Sequence, residues 1–221
     1  MHKAIIIGTA LCLTSLVHAQ EQRQPREAWN ELFTQRQGRE FAHNKFLAET
    51  IRGRKPGKAL DIGMGEGRNA LFLATNGWEV TGFDISDVGV RLAREAAQKK
   101  GLKLETLVDD VDRFDYGRQR WDMVVGMYMH GLITRNAAKI VDSLKPGGII
   151  VVEGFHRDLN RPGLTGGPIG YRSNELLRAF ERLRVIYYVD TIGPADWERS
   201  GQEAPLVRFI AVREQVPSDS R

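Results

Sequence analysis

The chain has 221 residues, 42% of them hydrophobic and 27% charged, with a formal net charge of +4. This is the composition of a globular domain with one sizeable core, and it excludes collagen-like, low-complexity and strongly charged disordered chains. Lysine and arginine are spread along the chain without aromatic interleaving, so runs such as Arg52-Gly53-Arg54-Lys55 read as solvated surface and no nucleic-acid partner is expected.

In chain order, His2-Lys3, the apolar run Ala4 to Val17 and Val17-His18-Ala19 have the three-part layout of a secretory signal peptide, too short for a membrane span. Residues 1–19 are therefore expected to direct a periplasmic or secreted protein. The alternatives are an uncleaved N-terminal anchor or a cytoplasmic chain. Cys12 is the single cysteine and lies inside that apolar run, so a processed chain would have no disulfide, no Cys-based zinc site and no Cys nucleophile. Residues 20–55 read as a polar lead-in followed by a helical cap. There Trp29, Leu32, Phe33, Phe41, Phe46, Leu47 and Ile51 mark two helical pieces broken near Gly38.

Pro56-Gly57 opens the main domain, 56–214, which a polar tail, 215–221, follows. Strands are predicted over Ala59–Ile62, Trp78–Phe83, Leu102–Val108, Trp121–Met127, Gly148–Glu153, Leu183–Asp190 and Leu206–Arg213. Helices are predicted over Asn69–Thr75, Val88–Lys100, Leu132–Leu144 and Asn174–Phe180. This alternation predicts an α/β fold with a doubly wound, mostly parallel sheet and an antiparallel final hairpin.

The first strand ends in an acid, Asp61, and runs into glycines at alternate positions, Gly63, Gly65 and Gly67, before a helix begins near Asn69. Such a turn lets a ligand approach the backbone and delivers it to a helix N-terminus. A dinucleotide fingerprint has the spacing G-x-G-x-x-G, whereas here it is G-x-G-x-G. Asp61 would repel a pyrophosphate and suits a ligand carrying an amine or sulfonium. Asp84 ends the second strand twenty-one residues after Gly63, a spacing suited to a carboxylate on ribose hydroxyls. Ser86 is placed to cap the following helix, which leaves Asp84 for the ligand. After the third strand Asp110 suits an adenine amino group, while Asp109, Asp112 and Asp115 read as solvated loop acids.

Taken together, Asp61-Ile62-Gly63-Met64-Gly65-Glu66-Gly67, Gly82-Phe83-Asp84, Asp110 and Leu144-Lys145-Pro146-Gly147-Gly148 resemble the motifs of the class I S-adenosylmethionine-dependent methyltransferases. The variant Gly65-Glu66-Gly67-Arg68-Asn69, followed by an apolar helix and Asn76-Gly77-Trp78, is similar to the tellurite-resistance branch and its small-molecule relatives. The resemblance implies seven strands in a Rossmann-like methyltransferase sheet with S-adenosyl-L-methionine as cofactor. By position it implies Gly63 and Gly65 at the methionine moiety, Asp84 at the ribose, and Asp110-Val111 at the adenine. The expected cofactor site is thus Asp61, Gly63, Gly65, Gly67, Asn69, Asp84, Ile85, Asp110 and Val111, with no metal.

For the acceptor, Gly126-Met127-Tyr128-Met129-His130 stands after the fourth strand where amino-methylating nucleic-acid enzymes carry Asn/Asp-Pro-Pro-Tyr, so a small molecule is expected. Tyr128, His130, Glu153, Phe155 and His156 lie at the ends of the fourth and fifth strands. Of these His156, His130 and Tyr128 are the candidate catalytic groups, the histidines as general bases. The segment Arg157 to Arg172 is too rich in glycine and proline for helix or strand and reads as a lid, its Arg157, Arg161 and Arg172 favouring an anionic acceptor. The helices of the N-terminal cap either cover the cofactor or pack on the sheet edge. Methyl transfer by in-line displacement is the expected reaction. A catalytically silent S-adenosylmethionine-binding domain and an aminopropyltransferase are the alternatives. An exported enzyme would also need a supply of a cofactor made in the cytoplasm.

Overall fold

The computed structural model describes residues 25–39, 41–157, 170–196 and 203–215. The leader expected over residues 1–19, the 216–221 part of the tail, and the centre of the Arg157–Arg172 segment with Arg161 lie outside the described residues. Seven strands form one sheet: β1 (Lys58–Ile62), β2 (Glu79–Asp84), β3 (Leu104–Val108), β4 (Trp121–Met127), β5 (Leu144–Phe155), β6 (Arg184–Pro194) and β7 (Glu203–Val212). Their order is β3-β2-β1-β4-β5-β7-β6. β1 to β5 run parallel, and β7 inserts antiparallel between β5 and β6. Strand order reverses beside β1, so the carboxyl ends of β1 and β4 flank a crevice. The helices are α1 (residues 25–36), α2 (Lys45–Ile51), α3 (Arg68–Thr75), α4 (Asp87–Lys99), α5 (His130–Arg135), α6 (Ala137–Ser143) and α7 (Glu175–Ala179).

Successive strand residues point to opposite faces, and both faces are buried. Leu60, Val124, Ile150 and Val152 pack against Ile133, Ile140 and Leu176 of α5, α6 and α7. Ala59, Met123, Val125 and Val151 pack against Leu47, Leu73 and Val90 of α2, α3 and α4. The helix expected over Leu132–Leu144 is two helices, α5 and α6. At the break the Asn136 side chain donates to Asp112 Oδ1 (2.7 Å) and to the Leu132 carbonyl (3.1 Å), the group that the Asn136 amide would hold in a continuous helix, while that amide donates to the Ile133 carbonyl (3.2 Å).

Among the polar groups buried in this sheet, Glu153 gathers partners from several elements. Glu153, on β5, is 1% exposed, and its carboxylate accepts from Arg208 Nε on β7 (2.6 Å), Asn44 Nδ2 (2.6 Å) and the Tyr128 hydroxyl (3.0 Å). Arg208 stands directly across the ladder from Glu153. Asn44 in turn caps α2 by accepting from Leu47 N (2.8 Å), and its own N–H donates to Asn69 Oδ1 (2.8 Å). A buried carboxylate stripped of its cation is costly, so Arg208→Met should lower stability by about 3 kcal/mol, whereas adding Glu153→Gln should recover most of that loss. Urea unfolding of the single and double variants measures both effects.

Candidate functional site

The turn after β1 carries three glycines in the left-handed region, Gly63 (φ 64°), Gly65 (φ 56°) and Gly67 (φ 84°). Backbone and side chain then lock the turn to β2. Met64 N donates to the Phe83 carbonyl (3.0 Å) and Gly65 N to Asp84 Oδ2 (2.9 Å). Asp84 Oδ1 accepts from Ser86 N (2.8 Å), and Ser86 caps α4 by accepting from Gly89 N (2.9 Å). Ser86 therefore is the cap, but Asp84 is not left free by it: each carboxylate oxygen already holds one amide. The carboxylate keeps lone-pair capacity for a ligand hydroxyl. Burial pushes the Asp84 carboxyl up, opposed by the amides of Ser86, Gly65 and Ile85.

These elements wall a cavity of about 690 Å³ over the strand ends. Asp61, Gly63, Gly65, Asn69, Asp84, Ile85, Asp110 and Val111 lie on its wall, as the sequence places them. Gly67 does not. A Cβ there would sit 2.8 Å from the Ala93 Cβ, so this glycine serves the close packing of α3 on α4. Asn69 lines the wall while its Oδ1 is held by Asn44. Asp112, read as a solvated acid, is exposed but clamped by Arg135 through two bonds of 2.9 and 2.6 Å. Asp61 is the anomaly. It is 1% exposed, and its Oδ2 has no hydrogen-bond partner. Burial pushes its carboxyl up to about 7, with the Asp84 charge adding to the rise and the Arg68 charge and Ala70 amide opposing it.

The roof comes from α1, which sequence reading left between two roles. Trp29, Phe33 and Arg36 line the cavity. The Phe33 ring tip lies 2.8 Å from where a Gly65 Cβ would be and the ring edge, at Cδ2, 3.0 Å from a Gly89 Cβ, so both glycines make room for it. Asn30 pins the helix by accepting from Ser86 Oγ (2.6 Å) and donating to Asp87 Oδ1 (2.8 Å). By contrast, α2 packs into the core through Phe46, Leu47 and Ile51. Phe33 was missed as a site residue, although Trp29, Phe33 and Arg36 at helical spacing were the available signal. Arg68 was missed too. It lines the cavity and reaches the β6–β7 connection by an ion pair with Asp196 (3.2 Å).

The candidate catalytic groups separate. Tyr128 (φ 60°) lines the cavity, but its hydroxyl is bound to Glu153 and Asp196. Burial first, then those two carboxylates, push the phenol far up, so it is no base. His130 (φ 32°) also lines the cavity, and its Nε2 accepts from Phe155 N (3.1 Å). That bond places the neutral ring's proton on Nδ1, and burial lowers the ring to about 4 against an opposing Glu175 charge. The imine nitrogen that a general base needs is thus already occupied, which corrects the role expected of His130. His156 is 2% exposed, 3.5 Å from Ser173 Oγ and 3.6 Å from Asp190 Oδ2, and is not on the cavity wall among the described residues. Glu153 and Phe155 are likewise off the wall.

Asp61 makes a signed stability prediction. Its carboxyl titrates at about 7 when folded, against about 3.9 unfolded. The folded state therefore holds a proton that the unfolded chain releases, and stability from this group is lost as pH rises from about 4 to about 7. Asp61→Asn should raise the urea midpoint relative to the parent chain more at pH 8 than at pH 5. An equal gap at both would mean that Asp61 is already ionised at pH 5.

Comparison with known proteins gives the geometry a family. Residues 59–148 match the family described as a methyltransferase domain. The chain is 28% identical over 91 residues to the probable S-adenosyl-L-methionine-dependent methyltransferase TehB of Haemophilus influenzae, covering 41% of this chain and 32% of TehB. The crystal structure of that TehB superposes with a TM-score of 0.66 at 18% identity, over 84% of this chain and 67% of TehB, and shows the shared fold. The ribosomal RNA small subunit methyltransferase C of Alcanivorax borkumensis is 33% identical over 104 residues, 43% of this chain and 31% of that protein. The match thus spans about a third of each of these two curated relatives. The 2-heptyl-1-hydroxyquinolin-4(1H)-one methyltransferase of Mycobacteroides abscessus is 27% identical over 172 residues, 74% of each chain. The motifs, the seven-stranded sheet and these matches support a class I S-adenosylmethionine-dependent methyltransferase related to TehB, with residues 59–148 as the matched methyltransferase domain.

Proposed function

We propose that this protein transfers the methyl group of S-adenosylmethionine to a small molecule held in the roofed cavity. The observation that carries this reading is the closure of the strand-end crevice by α1, with Phe33 against Gly65. The cavity, about 690 Å³, falls in the size range of sites for cofactors and small ligands, about 300–1,000 Å³. A helix across the mouth favours a small acceptor over a polymer. The Mycobacteroides relative, named for a quinolone, matches over most of both chains and supports the same class.

The wall fits the cofactor. Asp61 Oδ2, buried and without a partner, suits an ammonium group. The remaining lone pairs of Asp84 suit ribose hydroxyls, and Asp110 and Val111 close the adenine end. The cofactor brings a methyl group already activated on a sulfonium sulfur, so the protein has little bond chemistry of its own to perform. Its residues orient the two reactants in line and keep water out. Trp29 and Phe33 do the second task as apolar roof. Asp61 does part of the first: a cationic partner favours its ionised form, so binding releases a proton below about pH 7.

Three measurements test this. Calorimetric titration with S-adenosylmethionine and S-adenosylhomocysteine should show one site, weakened at least ~30-fold in Asp84→Ala. Unaltered binding in that variant would remove Asp84 from the site. Affinity in the parent chain should fall as pH drops below about 7, and Asp61→Asn should bind weakly at every pH. Formation of S-adenosylhomocysteine with a panel of thiol, phenol and oxyanion acceptors then separates an enzyme from a silent binding domain. Export through residues 1–19 is part of the proposal. Cell fractionation with N-terminal sequencing should find a chain beginning at Gln20 outside the cytoplasm, and a cytoplasmic chain beginning at Met1 would end that part.

A further inference from the structure

The turn from β4 into α5 holds two non-glycine residues in the left-handed region within three positions, Tyr128 (φ 60°) and His130 (φ 32°). Such conformations are strained for residues with a side chain and persist where surrounding contacts impose them, commonly at functional sites. Here they lay the His130 ring edge-on against β5. Its Cδ2 and Nε2 lie 3.0 and 3.1 Å from where a Gly154 Cβ would be, and Nε2 accepts the Phe155 amide. One ring face stacks on Phe155 (centroids 5.9 Å apart), and Tyr171 meets the ring edge-on at 5.3 Å.

That leaves Nδ1, which carries the proton. Among the described residues the buried side-chain atoms without a partner are Asp61 Oδ2 and the Tyr171 hydroxyl. Among the described residues His130 Nδ1 has no hydrogen-bond partner either, yet it is not one of these buried atoms, so it reaches accessible space, and His130 is part of the cavity wall. Among the described residues no carboxylate is bonded to it. Glu175, the charged group of α7 nearest this turn, has its oxygens taken by Thr134 Oγ1 (2.8 Å) and Arg172 N (2.9 Å). Tyr128, beside it, is engaged with Glu153. This reverses the arrangement of a catalytic histidine base, whose free imine nitrogen faces the substrate while a carboxylate holds the other nitrogen.

We propose that His130 is a hydrogen-bond donor to the acceptor and not its base, and that the acceptor is a compact apolar molecule with an acidic O–H or S–H that arrives as its anion. This rests on the methyl-transfer reading above. Met129 and Leu132, which flank His130 on the wall, supply apolar surface. The acceptor loses its proton to solvent before it binds, and its anionic oxygen or sulfur accepts from Nδ1–H. That atom then forms the bond to the methyl carbon as the methyl–sulfur bond breaks, with the electron pair staying on sulfur. Anion and sulfonium cancel, and no proton moves on the enzyme. The donor holds an anion whose charge disappears in the transition state, so it aids binding more than the chemical step.

The test uses the full chain at saturating S-adenosylmethionine with ring-substituted phenols and thiophenols of graded acidity. Expected is a kcat/KM that rises with pH and levels at each acceptor's own solution pKa. A common break shared by all acceptors would reveal a base on the enzyme and overturn the proposal. His130→Gln can keep the contact to the Phe155 amide but loses the donor at the δ position, so KM should rise about 10- to 100-fold with kcat unchanged or higher. His130→Asn keeps a δ donor and tolerates the left-handed backbone, so its KM should stay within about threefold. Equal losses in both variants would overturn the donor role. Nitrogen-15 NMR of the parent chain should show a neutral ring with its proton on Nδ1, and a proton on Nε2 would also overturn it. Turnover confined to amines would end the inference while leaving methyl transfer standing. No turnover of any acceptor by a chain that binds S-adenosylmethionine would instead remove the reading beneath it.

Discussion

A carboxylate shut away from water must gather its donors from the protein, and Glu153 gathers them from three separate parts of the chain. Arg208 comes from β7, Tyr128 from the end of β4, and Asn44 from the segment before α2. Asn44 passes the constraint on to Asn69 at the start of α3, on the wall of the cavity. The antiparallel hairpin, the N-terminal cap and the cofactor-side helix are thereby registered on one buried charge. Hydrophobic contact alone is non-directional and would let these pieces slide. A satisfied buried network makes one arrangement much better than its neighbours.

The site shows the opposite arrangement. Where Glu153 is fully served, Asp61 is left with a bare oxygen in an equally buried position. Its raised pKa expresses that deficit. On the proposed function such a deficit is useful, because a cationic partner would supply the interaction that the fold withholds. The same logic applies on a smaller scale to Asp84. It spends lone pairs of both oxygens to set the Gly65 turn and the start of α4, and keeps its remaining capacity for a ligand. On the proposed function, scaffold and recognition share a carboxylate.

Much of the architecture was legible because it is written in local chemistry. Strand–helix alternation marks the parallel sheet, and the reach of β4 over Trp121–Met127 agrees with its apolar run. The glycine turn and the acids at strand ends were legible for the same reason: few residue types meet those backbone demands. Legibility failed where a side chain overrode a periodic pattern, as at Asn136, where the expected long helix divides. It failed again for Gly67. The residue belongs to the motif by spacing, but Ala93 of the next helix decides what its missing side chain is for.

By itself, then, the sequence determined the fold class, the place of the glycine turn and which carboxylates stand at the strand ends, because each depends on residues near one another in the chain. The tertiary structure alone decided which groups reach the cavity and in what chemical form. His130 and His156 look alike as residues after adjacent strands, yet one lines the cavity with its imine nitrogen held by Phe155, and the other lies buried beside Asp190. Phe33 becomes the roof only because Gly65 and Gly89, distant in sequence, open a space for its ring. These outcomes depend on contacts between residues far apart in the chain, which local sequence patterns do not encode.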